Sequence, residues 1–118
     1  MPRIIGEYSS GNKGPLLFIT AGVHGNEPSG IIALQRVFEI LKDEQPEING
    51  KVVGVSGNRK ALQQGLRFID EDLNRTWTEE NIASGEVDSS EKNEMFEIIE
   101  ILEEFPNENF SKRYFLDC

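Results

Sequence analysis

One cysteine and one histidine are present in the 118 residues of this chain, and no long apolar run occurs in it. The single Cys118 excludes an internal disulfide, which is typical of proteins kept in a reducing compartment. A membrane-spanning helix needs about 20 apolar residues in succession, and the N-terminal MPRIIGEY lacks the apolar core of a signal peptide. These absences predict a soluble, cytoplasmic protein.

Positive charge is also scarce, because 12 lysines and arginines stand against 21 acidic residues and give a net charge of −9. Nucleic-acid binding requires a basic surface, so a nucleic-acid partner is excluded. The surface does not attract anions over long distances either, so any anion site must be built from local arginines. We interpret the acidic stretch Glu79–Glu104 mostly as a solvated helix face, and the expected partner is a small molecule rather than a membrane.

The chain has the length of one domain, and its patterns alternate between strand and helix. Strands are predicted at Arg3–Tyr8, Leu16–Thr20, Lys51–Gly57 and Arg113–Cys118, and helices at Pro28–Lys42 and Glu91–Phe105. The turn residues of Ser9–Pro15 predict a hairpin between the first two strands. The strand, helix and strand that follow predict a right-handed crossover between parallel strands. The expected fold class is a three-layer α/β domain with a mixed sheet covered by helices.

The region from Asn58 to Glu80 has no clean periodicity, and a loop of this length in a compact domain is usually functional or disordered. A short helix is predicted near Ala61 and ends at Gly65, and Asn81–Ser90 is predicted to be a polar linker. The apolar residues of the region predict an ordered, packed loop with its tryptophan in the core: Phe68, Ile69, Leu73 and Trp77.

The stretch LLFITAGVHGNEPSG, from Leu16 to Gly30, is the centre of the sequence. A buried-strand pattern runs into a polar turn, and Pro28 stands where the first turn of a helix tolerates proline. His24 therefore lies at the carboxyl tip of a strand, the edge where open α/β sheets bind ligands. Together with Glu27 it can direct a nitrogen and a carboxylate oxygen at one zinc ion, although a catalytic zinc needs a third protein ligand. The alternative for His24 is an ordinary hydrogen-bonded turn residue.

The segment Arg67–Arg75, here called the arginine loop, carries a second candidate site. Arginine can grip a carboxylate through two parallel hydrogen bonds, so Arg67, Asn74 and Arg75 form a candidate carboxylate clamp. The alternative is an exposed charged loop. The acidic residues between the arginines are predicted to orient them rather than to form a second metal site: Asp70, Glu71 and Asp72.

Two further motifs are incomplete. Gly54–Asn58 resembles the elbow of a serine hydrolase, but Asn58 stands where the second glycine is required. Ser10–Gly14 lacks the spacing and the hydroxyl residue of a phosphate-binding loop. Neither a serine-hydrolase nucleophile nor a nucleotide site is therefore predicted.

Three features together resemble the aspartoacylase/succinylglutamate desuccinylase family. They are HGNE at His24–Glu27, Asn58 at the end of the second core strand, and the pattern RxxDxDLNR of the arginine loop. The resemblance covers most of the chain and implies a zinc-dependent hydrolase with the carboxypeptidase A-type fold, whose mixed sheet is largely parallel. The implied reaction is hydrolysis of the amide bond of an N-acyl amino acid.

The resemblance also implies a role for each matching residue. His24 and Glu27 would bind Zn²⁺, and Arg67 would polarise the scissile carbonyl. Asn74 and Arg75 would hold the α-carboxylate of the substrate, with Asp72 and Asn58 in supporting positions.

The family's remaining catalytic parts are not matched in this chain. The third zinc ligand is a histidine in a D-x-H segment at the end of the next core strand. Leu116-Asp117-Cys118 reaches that segment without the histidine. The general-base glutamate, the later strands and a C-terminal domain are also absent. We therefore expect residues 1–118 to be the N-terminal portion of a zinc-hydrolase catalytic domain, incomplete at the C-terminal end. Alone it should be inactive and bind zinc weakly, with Cys118 close to the His24 turn.

Two alternatives remain open at this point. One is a non-catalytic module whose arginines bind a carboxylate without metal. The other is a structural fragment with an apolar edge that forms a homo-oligomer.

Overall fold

The computed structural model describes residues 1–118, and they form one open, four-stranded sheet with helices on both faces. The strands are β1 (Ile4–Ser9), β2 (Asn12–Ala21), β3 (Asn49–Ser56) and β4 (Arg113–Asp117). The helices are α1 (Ser29–Glu44), α2 (Arg59–Gln64), α3 (Leu73–Thr76), α4 (Glu79–Ser84) and α5 (Ser90–Glu103), and a 3₁₀ turn spans Asn107–Asn109. The strand order is β1-β3-β2-β4, with β1 antiparallel to β3 and the other two pairs parallel.

Alternation along β2 divides the core into two layers, because successive side chains of a strand point to opposite faces. Leu16 and Phe18 pack with β3 residues against Ile98 of α5. Ile19 and Ala21 face the other way and pack against α1. The sheet is thus sandwiched between α1 and α5, which confirms the predicted three-layer α/β class with a mixed, largely parallel sheet.

The helices match the predicted helices closely. The first was predicted at Pro28–Lys42 and spans Ser29–Glu44, and the second was predicted at Glu91–Phe105 and spans Ser90–Glu103. Ser89 caps the second helix, its hydroxyl accepting a hydrogen bond from the Lys92 N–H at 3.1 Å. None of the helices combines the length and the apolar character that crossing a membrane requires.

The predicted hairpin between the first two strands is wrong, because β1 pairs with β3 and β3 lies between β1 and β2. A glycine pair explains this placement. Gly6 of β1 lies opposite Gly54 of β3. A Cβ at either glycine would lie 2.2–2.7 Å from the Phe38 ring, so the two glycines form a slot for this α1 side chain. A turn-rich segment shows that the chain reverses but does not identify the neighbouring strand.

Three further predictions need correction. The polar linker predicted at Asn81–Ser90 begins inside α4, which the Thr78 hydroxyl caps through the Asn81 N–H at 3.1 Å. Trp77 is 37% exposed rather than in the core. The last strand, Arg113–Asp117, is present but is not the expected core strand. It lies at the sheet edge, where its apolar side chains are about half exposed: Tyr114, Phe115 and Leu116.

Candidate active site

The turn that follows β2 brings His24 to the carboxyl edge of the sheet, as predicted. Its backbone is closed by the Glu27 N–H, which donates to the His24 carbonyl at 3.2 Å. The Gly25 N–H donates to the Arg67 carbonyl at 3.1 Å and joins the turn to the arginine loop. A Cβ at Gly25 would lie only 2.2 Å from the Ala61 carbonyl carbon, so glycine is what allows the turn to approach α2.

The imidazole of His24 lies between two carboxylates. Its Nδ1 is 3.2 Å from Glu27 Oε2, and its Nε2 is 3.0 Å from Asp72 Oδ1. The His24 side chain is 16% exposed, whereas that of Glu27 is 64% exposed. One ring nitrogen therefore faces an accessible carboxylate and the other a half-buried carboxylate of the arginine loop.

Asp72 connects the candidate metal pair to the candidate clamp. Its Oδ1 also accepts the Asn74 N–H at 2.9 Å and so caps α3, while its Oδ2 lies 3.9 Å from Arg67 Nη2. Burial would raise the pKa of Asp72, but hydrogen bonds from the His24 ring and the Asn74 N–H outweigh this and hold the pKa below its usual value. Asp72 therefore remains ionised at neutral pH.

A cavity of about 530 Å³ opens beside this arrangement. His24 and Glu27 line it together with Asn74 and Cys118. The end of β4 and the start of α1 meet there, because a Cβ at Gly30 would lie 2.6 Å from the Cys118 carbonyl oxygen. A larger open groove of about 1050 Å³ runs between β1 and α1, and none of the predicted site residues lines it. The smaller cavity is therefore the candidate active site.

The side chains of Arg67 and Arg75 have different surroundings. Arg67 lies beside Asp72, although its side chain is 53% exposed. Arg75 lies in α3, where its N–H donates to the Asp72 carbonyl at 2.9 Å, and its exposed side chain forms no ion pair. The structure thus brings Arg67 and Asn74 to the His24 region and leaves the Arg75 guanidinium free in solvent.

Asn58 is fully buried and held by hydrogen bonds rather than directed at the cavity. Its Oδ1 accepts the Ala61 N–H at 3.3 Å, which caps α2, and its Nδ2 donates to Glu91 Oε2 at 2.7 Å. The structure thus places Asn58 between α2 and Glu91, and it is not among the residues that line the cavity.

Glu91 is the residue that the sequence interpretation missed. It was taken as part of a solvated acidic face, yet Glu91 and Glu94 are 0% and 4% exposed. Glu94 pairs with Arg3 and accepts the Arg59 N–H at 3.0 Å. Glu91 instead accepts hydrogen bonds from three backbone N–H groups of the arginine loop. Only its position in the first turn of α5, on the side of Met95 and Ile98, signalled burial.

The donor set around His24 provides part of a metal site. No group of three or more His, Cys, Asp or Glu side chains is arranged in the chain to hold a metal ion. His24 Nδ1 and Glu27 Oε2 form a pair, and their 3.2 Å separation is close to the ~3.4 Å expected between two ligands of a tetrahedral zinc with bonds of about 2.1 Å. The chain therefore supplies two fitting donors.

Comparisons with known sequences agree with one another. A family profile described as "Succinylglutamate desuccinylase/Aspartoacylase catalytic domain" matches residues 13–117. The chain is 33% identical to a probable aspartoacylase of Prochlorococcus marinus over 101 residues, which is 82% of this chain and 31% of that relative. It is 31% identical to a succinylglutamate desuccinylase of Pseudomonas paraeruginosa over 90 residues, which is 76% of this chain and 25% of that relative.

Solved structures show the same fold. The succinylglutamate desuccinylase of Chromobacterium violaceum superimposes with a TM-score of 0.74 at 21% identity, over 94% of this chain and 34% of that one. The enzyme of the same name from Vibrio cholerae gives a TM-score of 0.69 at 19% identity, over 93% of this chain and 31% of that one. The chain thus spans about a third or less of the length of these relatives.

Proposed function

This chain belongs to the succinylglutamate desuccinylase/aspartoacylase family, and we propose that it forms part of a zinc-dependent deacylase acting on N-acyl amino acids. Such an enzyme hydrolyses the amide bond and releases an amino acid and a carboxylate. The observation that carries the proposal is the His24 ring, which lies between the carboxylates of Glu27 and Asp72 beside the 530 Å³ cavity.

His24 and Glu27 are the residues that would hold the zinc ion. Asp72 supports this arrangement because a metal-binding histidine usually donates its second ring N–H to a carboxylate, which fixes the tautomer and the ring orientation. With Nε2–H directed to Asp72, Nδ1 keeps its lone pair for the metal. A zinc ion bound there supplies Lewis acidity that activates water for attack on an amide carbonyl.

Arg67, Asn74 and Arg75 are the residues that would hold the substrate. Arg67 lies 3.9 Å from Asp72, so its guanidinium is close enough to the His24 region to stabilise negative charge on the scissile carbonyl oxygen. Asn74 lines the cavity, and the unpaired guanidinium of Arg75 is available for a two-point grip on a carboxylate. The −9 net charge of the chain leaves this recognition to local arginines.

Zinc binding tests the first half of the proposal. We expect the wild-type chain to bind zinc in competition with a chromophoric chelator, and His24→Ala to lose this binding. Arg36→Ala, on the exposed outer side of α1, is a control that should not change the affinity. A wild-type chain that binds zinc no better than His24→Ala would contradict the assignment.

Ligand binding tests the second half, with N-succinyl-L-glutamate as the probe. We expect its addition to shift the backbone resonances of Asn74 and Arg75, and Arg75→Ala to weaken binding. Arg75→Lys should recover little, because an ammonium group cannot reproduce the planar grip of a guanidinium. Binding that is strong and indifferent to zinc removal would instead identify a non-catalytic carboxylate-binding module.

In a longer chain that carries the remaining catalytic groups, the two arginines should separate by kinetics. Arg75→Ala should mainly raise KM, because a remote carboxylate is held alike in the ground and transition states. Arg67→Ala should mainly lower kcat, because the oxyanion gains its charge only during attack. Unchanged KM in the first variant and unchanged kcat in the second would make the arginine loop a scaffold.

A further inference from the structure

The arginine loop is held by something other than apolar packing. Before α3 it contains no helix or strand. Phe68, at its start, is 40% exposed, and the preceding Leu66 is 47% exposed, whereas only Leu73 is fully buried. Ordered backbone N–H groups in such a segment need hydrogen-bond acceptors, because an unpaired buried donor is costly.

Glu91 supplies these acceptors from outside the loop. Its Oε1 accepts the N–H groups of Asp70 and Glu71 at 2.9 and 3.0 Å, and its Oε2 accepts the Ile69 N–H at 3.0 Å. The remaining position on Oε2 is taken by the Asn58 side-chain amide at 2.7 Å. The fully buried carboxylate is therefore saturated by four donors, three of them consecutive N–H groups of the loop.

The anchored residues sit directly between the functional ones. Arg67 lies two residues before Ile69, and Asp72, which contacts the His24 ring, follows Glu71. No other side chain accepts from these three N–H groups. A shift of the anchor would therefore move the Arg67 and Asp72 side chains relative to His24.

We propose that Glu91 is the positioning residue of the site, a buried carboxylate that sets the arginine loop at the distance from His24 required for substrate binding. It touches neither the cavity nor the candidate metal pair and acts only through the loop backbone and Asn58. This inference deepens the proposed function, and the role of Glu91 in substrate binding rests on that function. The anchoring itself can be measured independently.

The first measurement uses the wild-type chain alone. We expect the amides of Ile69, Asp70 and Glu71 to exchange with solvent at least about tenfold more slowly than an unprotected amide, although they lie in no helix or strand. Random-coil exchange rates at all three amides would overturn the proposal without any variant.

The second measurement compares two nearly isosteric substitutions of buried glutamates on α5. Glu91→Gln replaces one acceptor oxygen with a donor that faces N–H groups, and Glu94→Gln does the same at a site bonded to Arg3 and the Arg59 N–H. We expect only Glu91→Gln to accelerate exchange at the three loop amides. It should weaken N-succinyl-L-glutamate binding by about tenfold or more, since small misplacements of positioning groups have large effects. Equal effects of both variants would make Glu91 merely structural.

A compensating variant separates positioning from loss of folding. In Asn58→Asp combined with Glu91→Gln, the new carboxylate accepts from the new amide and can still cap α2 through the Ala61 N–H. We expect this pair to restore part of the protection and part of the affinity. No recovery in a folded double variant would contradict the proposal. If the wild-type chain failed to bind the ligand at all, the proposed function would be contradicted. The exchange data would still test whether Glu91 anchors the arginine loop.

Discussion

Both nitrogens of the His24 imidazole face carboxylates. Glu27 is the more exposed of the two and can move towards a ligand, whereas Asp72 is held by the Asn74 N–H. Half-buried, fixed carboxylates orient a ring better than mobile ones, because less side-chain freedom has to be lost. Asp72 therefore sets the direction of Nδ1.

Replacing Asp72 by asparagine tests this orienting role. Asparagine is close to isosteric with aspartate but removes the negative charge, so we expect Asp72→Asn to weaken zinc binding by about 10–100-fold, the usual range for such supporting residues. Isothermal titration calorimetry measures the affinity. Glu71→Gln removes the same charge one residue away, where the side chain has no hydrogen-bond partner, and should bind zinc as the wild type does. Affinities within about twofold for both variants would leave Asp72 without this role.

The ionisation of Glu91 predicts how the stability of the folded chain depends on pH. Burial would raise the pKa of Glu91, but hydrogen bonds from Ile69 and the Asn58 amide, together with the next two loop N–H groups, lower it below the usual 4.5. The unfolded chain thus binds the proton more tightly. The stabilisation is complete above about pH 4.5 and is lost as pH falls through the lower folded pKa.

Glu91→Gln should accordingly be less stable than the wild type by about 2 kcal/mol at pH 7, as expected for hydrogen bonds to a charged group. The difference should shrink as the pH is lowered below 4.5. Urea unfolding at pH 7 and at acidic pH gives both values. Glu100→Gln, at an exposed position of the same helix, is the control and should leave stability unchanged at pH 7. A difference that grew on acidification would have the wrong sign.

At the scale of structural elements, the His24 turn packs so closely against α2 that there is no space for a side-chain atom at Gly25. A methyl group at Gly25 would meet the Ala61 carbonyl carbon at 2.2 Å and the Leu66 carbonyl oxygen at 2.3 Å, both of them backbone atoms. Backbone cannot rotate away as a side chain can, so the turn and α2 would have to separate.

Gly25→Ala should therefore destabilise the chain by about 3 kcal/mol, at the upper end of overpacking costs, and should also weaken zinc binding. Gly85→Ala is the comparison. Gly85 has open space around it, so an alanine there would meet no other atom. The variant would have only the cost of a left-handed backbone at φ 67°, which is about 1–2 kcal/mol. Thermal unfolding of both variants measures the difference. If Gly85→Ala were the more damaging, close approach would not be the reason for glycine in the turn.

The elements with a clear hydrophobic pattern could be predicted from the sequence. The stripes of α1 and α5 specify helices, because one buried face imposes one period. The continuous apolar run of β2 is typical of a strand that is buried on both faces. The position of β1 could not be predicted, because it depends on the slot that Gly6 and Gly54 form for Phe38, and these residues are far apart in sequence.

The site divides in the same way. His24 and Glu27 share one turn, so spacing alone predicted their contact. Asp72 was expected to support the arginines, and the structure adds its contact with His24, 48 residues away. Glu91 was missed because its charge indicates exposure, and only the loop amides that it binds explain its burial. Partners of buried polar groups are tertiary information, which periodicity does not contain.

At the scale of the whole molecule, the sheet edge formed by β4 is apolar and exposed. β4 pairs with β2 on one side only, and its central Phe115 is 59% exposed. Exposed, apolar, unpaired edge strands are templates for further strand pairing.

For the 118-residue chain itself we propose that β4 pairs with β4 of a second copy. The Lys112 carbonyl accepts the Leu16 N–H, and the Cys118 N–H donates to the Thr20 carbonyl. The alternate residues of the strand therefore direct their backbone groups to the open side: Arg113, Phe115 and Asp117. An antiparallel pair centred on Phe115 places Arg113 of each copy opposite Asp117 of the other. This register satisfies the free backbone groups and also pairs opposite charges.

The last prediction follows from that register. Phe115→Lys would place two lysines opposite each other at the centre of the pair, and like charges in this position are destabilising. We expect the wild-type chain to show concentration-dependent dimerisation in sedimentation velocity and Phe115→Lys to remain monomeric. Ile32→Lys, which places the same charge on α1 at a residue that is 63% exposed, should dimerise as the wild type does. A monomeric wild type, or equal loss of dimer in both variants, would show that the β4 edge is not the contact.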